Sequence, residues 1–208
     1  MSRAPITVTN LTGGYNGTAV IHNCNMQIAA GEIVVIMGGS GSGKSTFLRH
    51  LIGLKPPMEG DVQLFGESLY SVDEIARLRL LKGIGVAFQS GALLSSLTVA
   101  ENVALPLVEH SELDRETIDV IVRMKLDFVG LLGKEDLLPS ELSGGMLKRV
   151  AVARAIALDP RLTFMDEPSA GLDPVVAAAL DELIIKLRDT LGMSVAVVTH
   201  ELETADDK

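Results

Sequence analysis

Residues 38–46, Gly38-Gly39-Ser40-Gly41-Ser42-Gly43-Lys44-Ser45-Thr46, have the make-up and spacing of a phosphate cradle. They fit the pattern G-x-x-x-x-G-K-[ST], behind the apolar run Ile33–Met37 and ahead of Phe47–Ile52. Glycines reach backbone angles closed to other residues and leave room for phosphate oxygens. Successive N–H groups then converge on an anion, helped by the positive end of the following helix. Lys44 brings a point charge to the β- and γ-phosphates, and Ser45 offers a hydroxyl to Mg²⁺. The plain alternative is a flexible Gly/Ser turn, which the strand before it and the helix after it disfavour. No G-x-G-x-x-G can be read through these glycines, which disfavours a dinucleotide site. The pattern points to a nucleoside triphosphate.

Two further groups of residues could work on it. Asp166 and Glu167 end the apolar run Leu162–Met165. A carboxylate at the carboxyl end of a parallel strand lies where ligands of such sheets collect. Asp166 there can bind Mg²⁺, and Glu167 can polarise an attacking water. Alone, such a pair would read as a turn or a helix cap. Leu142-Ser143-Gly144-Gly145 opens a helix with Ser143 as its N-cap. Two glycines in a first turn weaken a helix by about 1 kcal/mol each, a cost that makes sense if a ligand must approach the backbone.

The elements that would position these groups follow from side-chain periodicity. Ile6–Val8 and Val20–Ile28 alternate like half-buried strands, joined by a turn around Gly13-Gly14. Ile33–Met37 is apolar throughout, like a strand covered on both faces. Lys44–Gly53 reads as a helix, Val62–Phe65 and Ile84–Phe88 as short strands, and Asp73–Lys82 as a helix with apolar Ile75, Leu78 and Leu81. From about Leu93 to Pro160 only helical spacing appears, in Val99–Leu107, Ile118–Val129 and Val150–Leu158. An α/β core resumes with the run Leu162–Met165, a helix opened by Asp173-Pro174, and the run Val195–Val198. An all-helical lobe inserted into an α/β core is expected.

Composition sets outer bounds. With 208 residues, 47% of them apolar and 22% charged, the chain can bury one core and is not disordered. Only 3% are aromatic, so the core is aliphatic. No apolar run reaches the roughly 20 residues that cross a bilayer, and Met1–Pro5 carries no apolar leader segment. The single cysteine, Cys24, suits a reducing compartment. A net charge of −9 argues against a nucleic-acid partner. Arg77, Arg79 and Lys82, like Lys148 and Arg149, read as solvated helix faces.

Taken in order, the phosphate loop, Leu142–Gly145, Asp166-Glu167, Ser169-Ala170-Gly171-Leu172-Asp173 and His200 resemble the motif set of the ATP-binding cassette (ABC) ATPases. The resemblance covers nearly the whole chain. It implies a P-loop NTPase fold with a mostly parallel core sheet, an antiparallel β subdomain and an inserted α-helical subdomain. One nucleotide-binding domain over 1–208 is then expected, its RecA-like core at about 1–92 and 160–208 and its helical subdomain at about 93–159. It implies that Tyr15 stacks on adenine, that Gln89 senses Mg²⁺ beside Ser45 and Asp166, and that His200 contacts the γ-phosphate. Catalysis would fall to Glu167, His200, Lys44 and Gln89. ATP binding would use Tyr15, Gly38–Thr46, Ser143, Gly144, Gly145, Met146 and Asp173. His22, His50 and His110 match no motif and are read as structural or surface residues.

Two copies are implied to pack head to tail, Ser143–Gly145 of one completing the site of the other. The segments Phe88–Leu94 and Ser96–Leu107, with Met146 where most relatives carry glutamine, are similar to ATPases of MCE-type lipid transporters, the bacterial lipid-asymmetry (Mla) system above all. This implies a peripheral ATPase on the cytoplasmic face of the inner membrane, beneath a permease and linked to an MCE lipid-binding protein. An ABC ATPase for another substrate, or a non-transport regulatory one, stays open. Such ATPases continue past the switch histidine, so the chain is expected to be a truncated form.

Overall fold

Side-chain alternation and turn chemistry sort the strands into two sheets. The computed structural model describes Arg3–His200. β1 (Ile6–Tyr15) and β2 (Thr18–Ile28) form a hairpin whose turn is Asn16-Gly17, with φ of 50° and 80°. That pair of positive angles is the tight hairpin turn that matches strand twist. The turn is therefore not at Gly13-Gly14, as the glycine pair suggested. Those two lie inside β1, opposite Ile21 and Ala19. A Cβ on Gly13 would sit 2.1 Å from His50 Nε2, and one on Gly14 1.9 Å from the Thr18 carbonyl oxygen. They are glycines because neighbours crowd the strand, not because the chain reverses. β4 (Glu59–Leu64) and β5 (Glu67–Ser68) complete this antiparallel sheet in the order β2-β1-β4-β5.

The second sheet is parallel. Its strands β3 (Ile33–Met37), β6 (Ile84–Ala87), β7 (Leu162–Asp166) and β8 (Ser194–Thr199) lie in the order β3-β8-β7-β6. Successive residues of its inner strands enter opposite cores. Leu162, Phe164, Ala196 and Val198 join β1, β4 and helix α1 (Lys44–Leu51) in one cluster. Met165 and Val195 join α6 (Pro174–Leu191) and the helical segment in the other. Burial on both faces explains the unbroken apolar runs. β3 departs from the expectation of full coverage: among the described residues it has a partner along one edge only, and Val35 is 48% and Met37 52% exposed.

Between β6 and β7 the chain forms α3 (Val99–His110), α4 (Arg115–Phe128) and α5 (Gly144–Ala155), which pack on one another. Thr98 and Glu101 cap α3 reciprocally, and Asp114 caps α4. α2 (Glu74–Lys82) precedes β6. It buries Leu80, whereas Ile75, read as an apolar-face residue, is 83% exposed. Among the described residues no helix is long and apolar enough to cross a membrane.

Candidate active site

β3 delivers the chain to the phosphate loop, and α1 leaves it. Gly43 caps α1 in the left-handed region at φ 94°, with no side-chain cap and no acidic residue in the first turn. The first N–H groups of α1 therefore have no side-chain acceptor, and the helix dipole adds positive potential there. The glycines divide the work. A Cβ on Gly38 or Gly43 would strike Ser42 Oγ at 2.6 Å or Ile21 Cγ2 at 2.8 Å, whereas one on Gly39 or Gly41 would meet nothing within 4 Å. Gly38 and Gly43 thus close the loop, and Gly39 and Gly41 leave it open outward. Lys44 Nζ folds over this opening, donating to the carbonyls of Gly38 and Gly39. Open backbone, uncapped N–H groups and one ammonium make a cradle for phosphate oxygens.

The carboxylates stand at the end of the adjoining strands. Asp166 closes β7, in register with Val198 of β8. Ser45, Gln89 and Asp166 line one cavity of ≈ 700 Å³. Burial, and next the charge of Glu167, push the Asp166 carboxyl above its usual range, against the pull of Lys148, Lys44 and Arg49. The Asp166 carboxylate, the Ser45 hydroxyl and the Gln89 amide oxygen are oxygen donors of the kind that suits a hard divalent cation. Glu167 follows with φ 49°, a left-handed backbone costly for a side chain with a Cβ. Its N–H donates to the Val198 carbonyl at 2.8 Å, which holds that turn to β8. Its Oε2 lies 2.6 Å from Nδ1 of His200, just past β8. Glu167 and His200, 33 residues apart in sequence, are thus brought into contact.

The remaining predicted residues fall into separate places. Tyr15, at the end of β1, is pinned to α1: its hydroxyl meets Arg49 Nη1 at 2.7 Å and Thr46 Oγ1 at 3.3 Å. Lys55 Nζ sits 3.8 Å from the ring centroid. Ser143 caps α5, its Oγ accepting from the Met146 N–H at 3.3 Å. Ser143 and Gly144 are exposed, and Met146 packs against the helical cluster. None of these three lines the cavity of Ser45, Gln89 and Asp166. Asp173 caps α6, accepting from the Val175 and Val176 N–H groups at 3.2 Å. His50 is fully buried, its Nδ1 2.7 Å from the Lys55 carbonyl.

Residues 21–170 match the ABC transporter family. The chain belongs to that family. It is an ATP-binding and ATP-hydrolysing cassette. Over 98% of its length it is 41% identical to the intermembrane phospholipid transport system ATP-binding protein MlaF of Haemophilus influenzae, spanning 77% of that protein. It is 42% identical to the Escherichia coli K12 protein of the same name over 88% of its length, spanning 68% of the relative. It is also 41% identical, over 96% of its length, to "Probable ribonucleotide transport ATP-binding protein mkl" of Mycobacterium leprae, of which it spans 58%. In structure it resembles the ATP-binding cassette MJ0796, solved as a post-hydrolysis dimer with ADP and Pi: TM-score 0.86, 33% identity, 95% of this chain and 88% of that one. The Clostridium perfringens ABC protein cbiO1 superposes with TM-score 0.88 at 29% identity, over 98% of this chain and 81% of that one.

The cassette also uses residues that motif reading passed over. Lys148 and Arg149 are half-buried and bonded to other elements, not solvated faces. Lys148 Nζ donates to the backbone carbonyls of Gln89 and Glu167, and Arg149 Nη1 to that of Val129. Arg154 donates to the carbonyls of Gly91 and Ala92. Arg77 likewise donates to the Gly53 carbonyl. A signal for Lys148 was present: it shares a helix stripe with Ala151 and Val152, both buried, and a lysine in line with buried aliphatic residues has to find partners.

Proposed function

We propose that this ABC ATPase works as one of two nucleotide-binding subunits that drive a membrane permease moving phospholipid between inner and outer membranes. The observation that carries the catalytic part is Glu167, held in a left-handed turn between the Asp166 cavity and His200. In this reading the N–H groups of residues 38–46 and the Lys44 ammonium hold the triphosphate, and Tyr15 stacks on the adenine. Ser45, Gln89 and Asp166 hold Mg²⁺, which when bound neutralises phosphate charge. Glu167 accepts the proton of the attacking water, and His200 fixes its carboxylate through Nδ1. Ser143, Gly144 and Gly145, exposed or half-exposed and outside their own chain's cavity, cap the nucleotide of a second copy. The dimeric state of MJ0796 supports that arrangement.

A groove of ≈ 960 Å³ runs between α2, β6, α3 and α5, lined by Ile75, Leu78, Phe88, Leu105 and Pro106. Its apolar floor beside Gln89 suits a short helix of the permease, and in this reading the chain sits on the cytoplasmic face of the inner membrane. The names of the Haemophilus and Escherichia relatives support phospholipid as cargo, and in this reading it moves together with an MCE lipid-binding protein.

Two measurements test this. Glu167→Gln is expected to keep ATP binding and to lose hydrolysis by a factor on the order of 10² or more, as when other transition-state groups are removed. Near-normal turnover would take Glu167 out of the reaction. In vesicles holding the copurified permease, ATP should drive transfer of labelled phospholipid. ATP-driven uptake of ribonucleotide instead would overturn the cargo.

A further inference from the structure

Lys148 lies five residues past the Ser143 cap, on α5, and its ammonium reaches away from that helix to two other motifs. It donates to the carbonyl of Gln89, just past the end of β6, and at 2.9 Å to the carbonyl of Glu167, just past the end of β7. Both acceptors are backbone atoms at the carboxyl edge of the parallel sheet, and both belong to residues assigned to the reaction above. Six residues further along α5, Arg154 grips the same loop through the Gly91 carbonyl at 2.7 Å and the Ala92 carbonyl at 2.8 Å. Ala92 holds a positive φ of 46°, costly for a residue with a Cβ, beside Gly91 at 74°, which glycine adopts freely, and those bonds maintain that shape. The helix that starts with Ser143-Gly144-Gly145 therefore holds the Gln89 segment at two points and the Glu167 turn at one.

We propose that Lys148 is a positioning residue: it makes the Glu167 turn and the Gln89 segment move with α5, so that a displacement of α5 is felt at the catalytic carboxylate. The proposal rests on Glu167 being that carboxylate. The physics favours a tight link. A charged donor binds a carbonyl about twice as strongly as a neutral one. The ammonium is partly desolvated, which lowers its pKa, while the carboxylates of Asp166 and Glu167 favour its charged form. The strain in the Glu167 backbone needs a restraint, and its carbonyl and its N–H are tied to α5 and β8 respectively. Losing the first tie leaves the turn free to relax without touching the phosphate loop.

ATP turnover of the full-length protein, isolated with its membrane partners, separates the outcomes. Lys148→Met keeps the length of the side chain and removes its donors. It should lower kcat about tenfold or more while the KM for MgATP stays within about twofold, because a small misplacement of a catalytic group acts on the transition state alone. Lys148→Arg should recover most of the rate. In a Glu167→Gln background, Lys148→Met should add less than about a twofold loss, since both changes remove the same function. The inference fails if Lys148→Met turns over normally. It also fails if kcat, KM and melting temperature all worsen together without rescue by arginine. Normal turnover in Glu167→Gln alone would instead remove the reading beneath it.

Discussion

Gly145 shows how a residue read as a nucleotide contact also answers to packing. A Cβ there would meet Val176 Cγ1 of α6 at 2.6 Å, and valine has little rotamer freedom with which to yield. Gly145→Ala should therefore cost about 1 kcal/mol despite the better helix propensity of alanine. In a Val176→Ala background the same change should become neutral or stabilising, by up to about 1 kcal/mol. Urea unfolding of the four proteins decides it, and equal losses in both backgrounds would refute the contact. Asn102 carries a different lesson. It is fully buried, its Oδ1 accepting from the Leu94 N–H at 2.8 Å and its Nδ2 donating to the carbonyls of Leu94, Leu97 and Thr98. Asn102→Leu should cost about 2–4 kcal/mol, because it strands several polar groups away from water. A loss below about 1 kcal/mol would mean that water replaces the amide. The roles proposed for Lys44, Asp166 and Glu167 could be read from residue type and spacing. Those of Asn102, Lys148 and Arg154 could not, because their partners are backbone carbonyls, which every sequence contains.

Elements were legible where periodicity was strong, and less so where a neighbour set the rule. α4 begins ahead of the helical run Ile118–Val129, at a cap where Asp114 accepts from the Thr117 N–H at 2.8 Å. That bond, with those to the Thr117 hydroxyl and the Glu116 N–H, holds its carboxyl below the usual aspartate range. A depressed folded-state pKa stabilises above the unfolded value and is lost as pH falls through the folded one. The stability that wild type holds over Asp114→Asn at pH 6 should therefore shrink as acidification below the ordinary aspartate range protonates Asp114, as followed by chemical unfolding across pH. A difference independent of pH would show that the charge plays no part. Gly85 of β6 is set by its neighbour. A Cβ there would lie 2.1 Å from the Ala155 carbonyl oxygen, so β6 and α5 touch backbone to backbone. Backbone cannot rotate aside as a side chain can, so Gly85→Ala should cost about 3 kcal/mol or more and lower the melting temperature accordingly. Unchanged melting would place α5 further from the sheet. Alternation in β6 announced a strand, but gave no hint of this contact.

For the whole molecule, the proposed pairing makes a prediction that a lone cassette does not. With MgATP, Glu167→Gln should sediment as a dimer and dissociate when the nucleotide is removed, whereas Glu167→Gln with Ser143→Arg should stay monomeric. A monomer in both cases would mean that the exposed Ser143 cap serves no second copy. The parallel sheet, the phosphate loop and the family could be inferred from local pattern, because glycine angles, N-caps and alternation are dictated by the few residues that carry them. The contact of Glu167 with His200 and the exposure of Val35 and Met37 on β3 could not. Each depends on which strands become neighbours and which stand at an edge. That choice minimises the free energy of the whole chain, and no window of adjacent residues contains it.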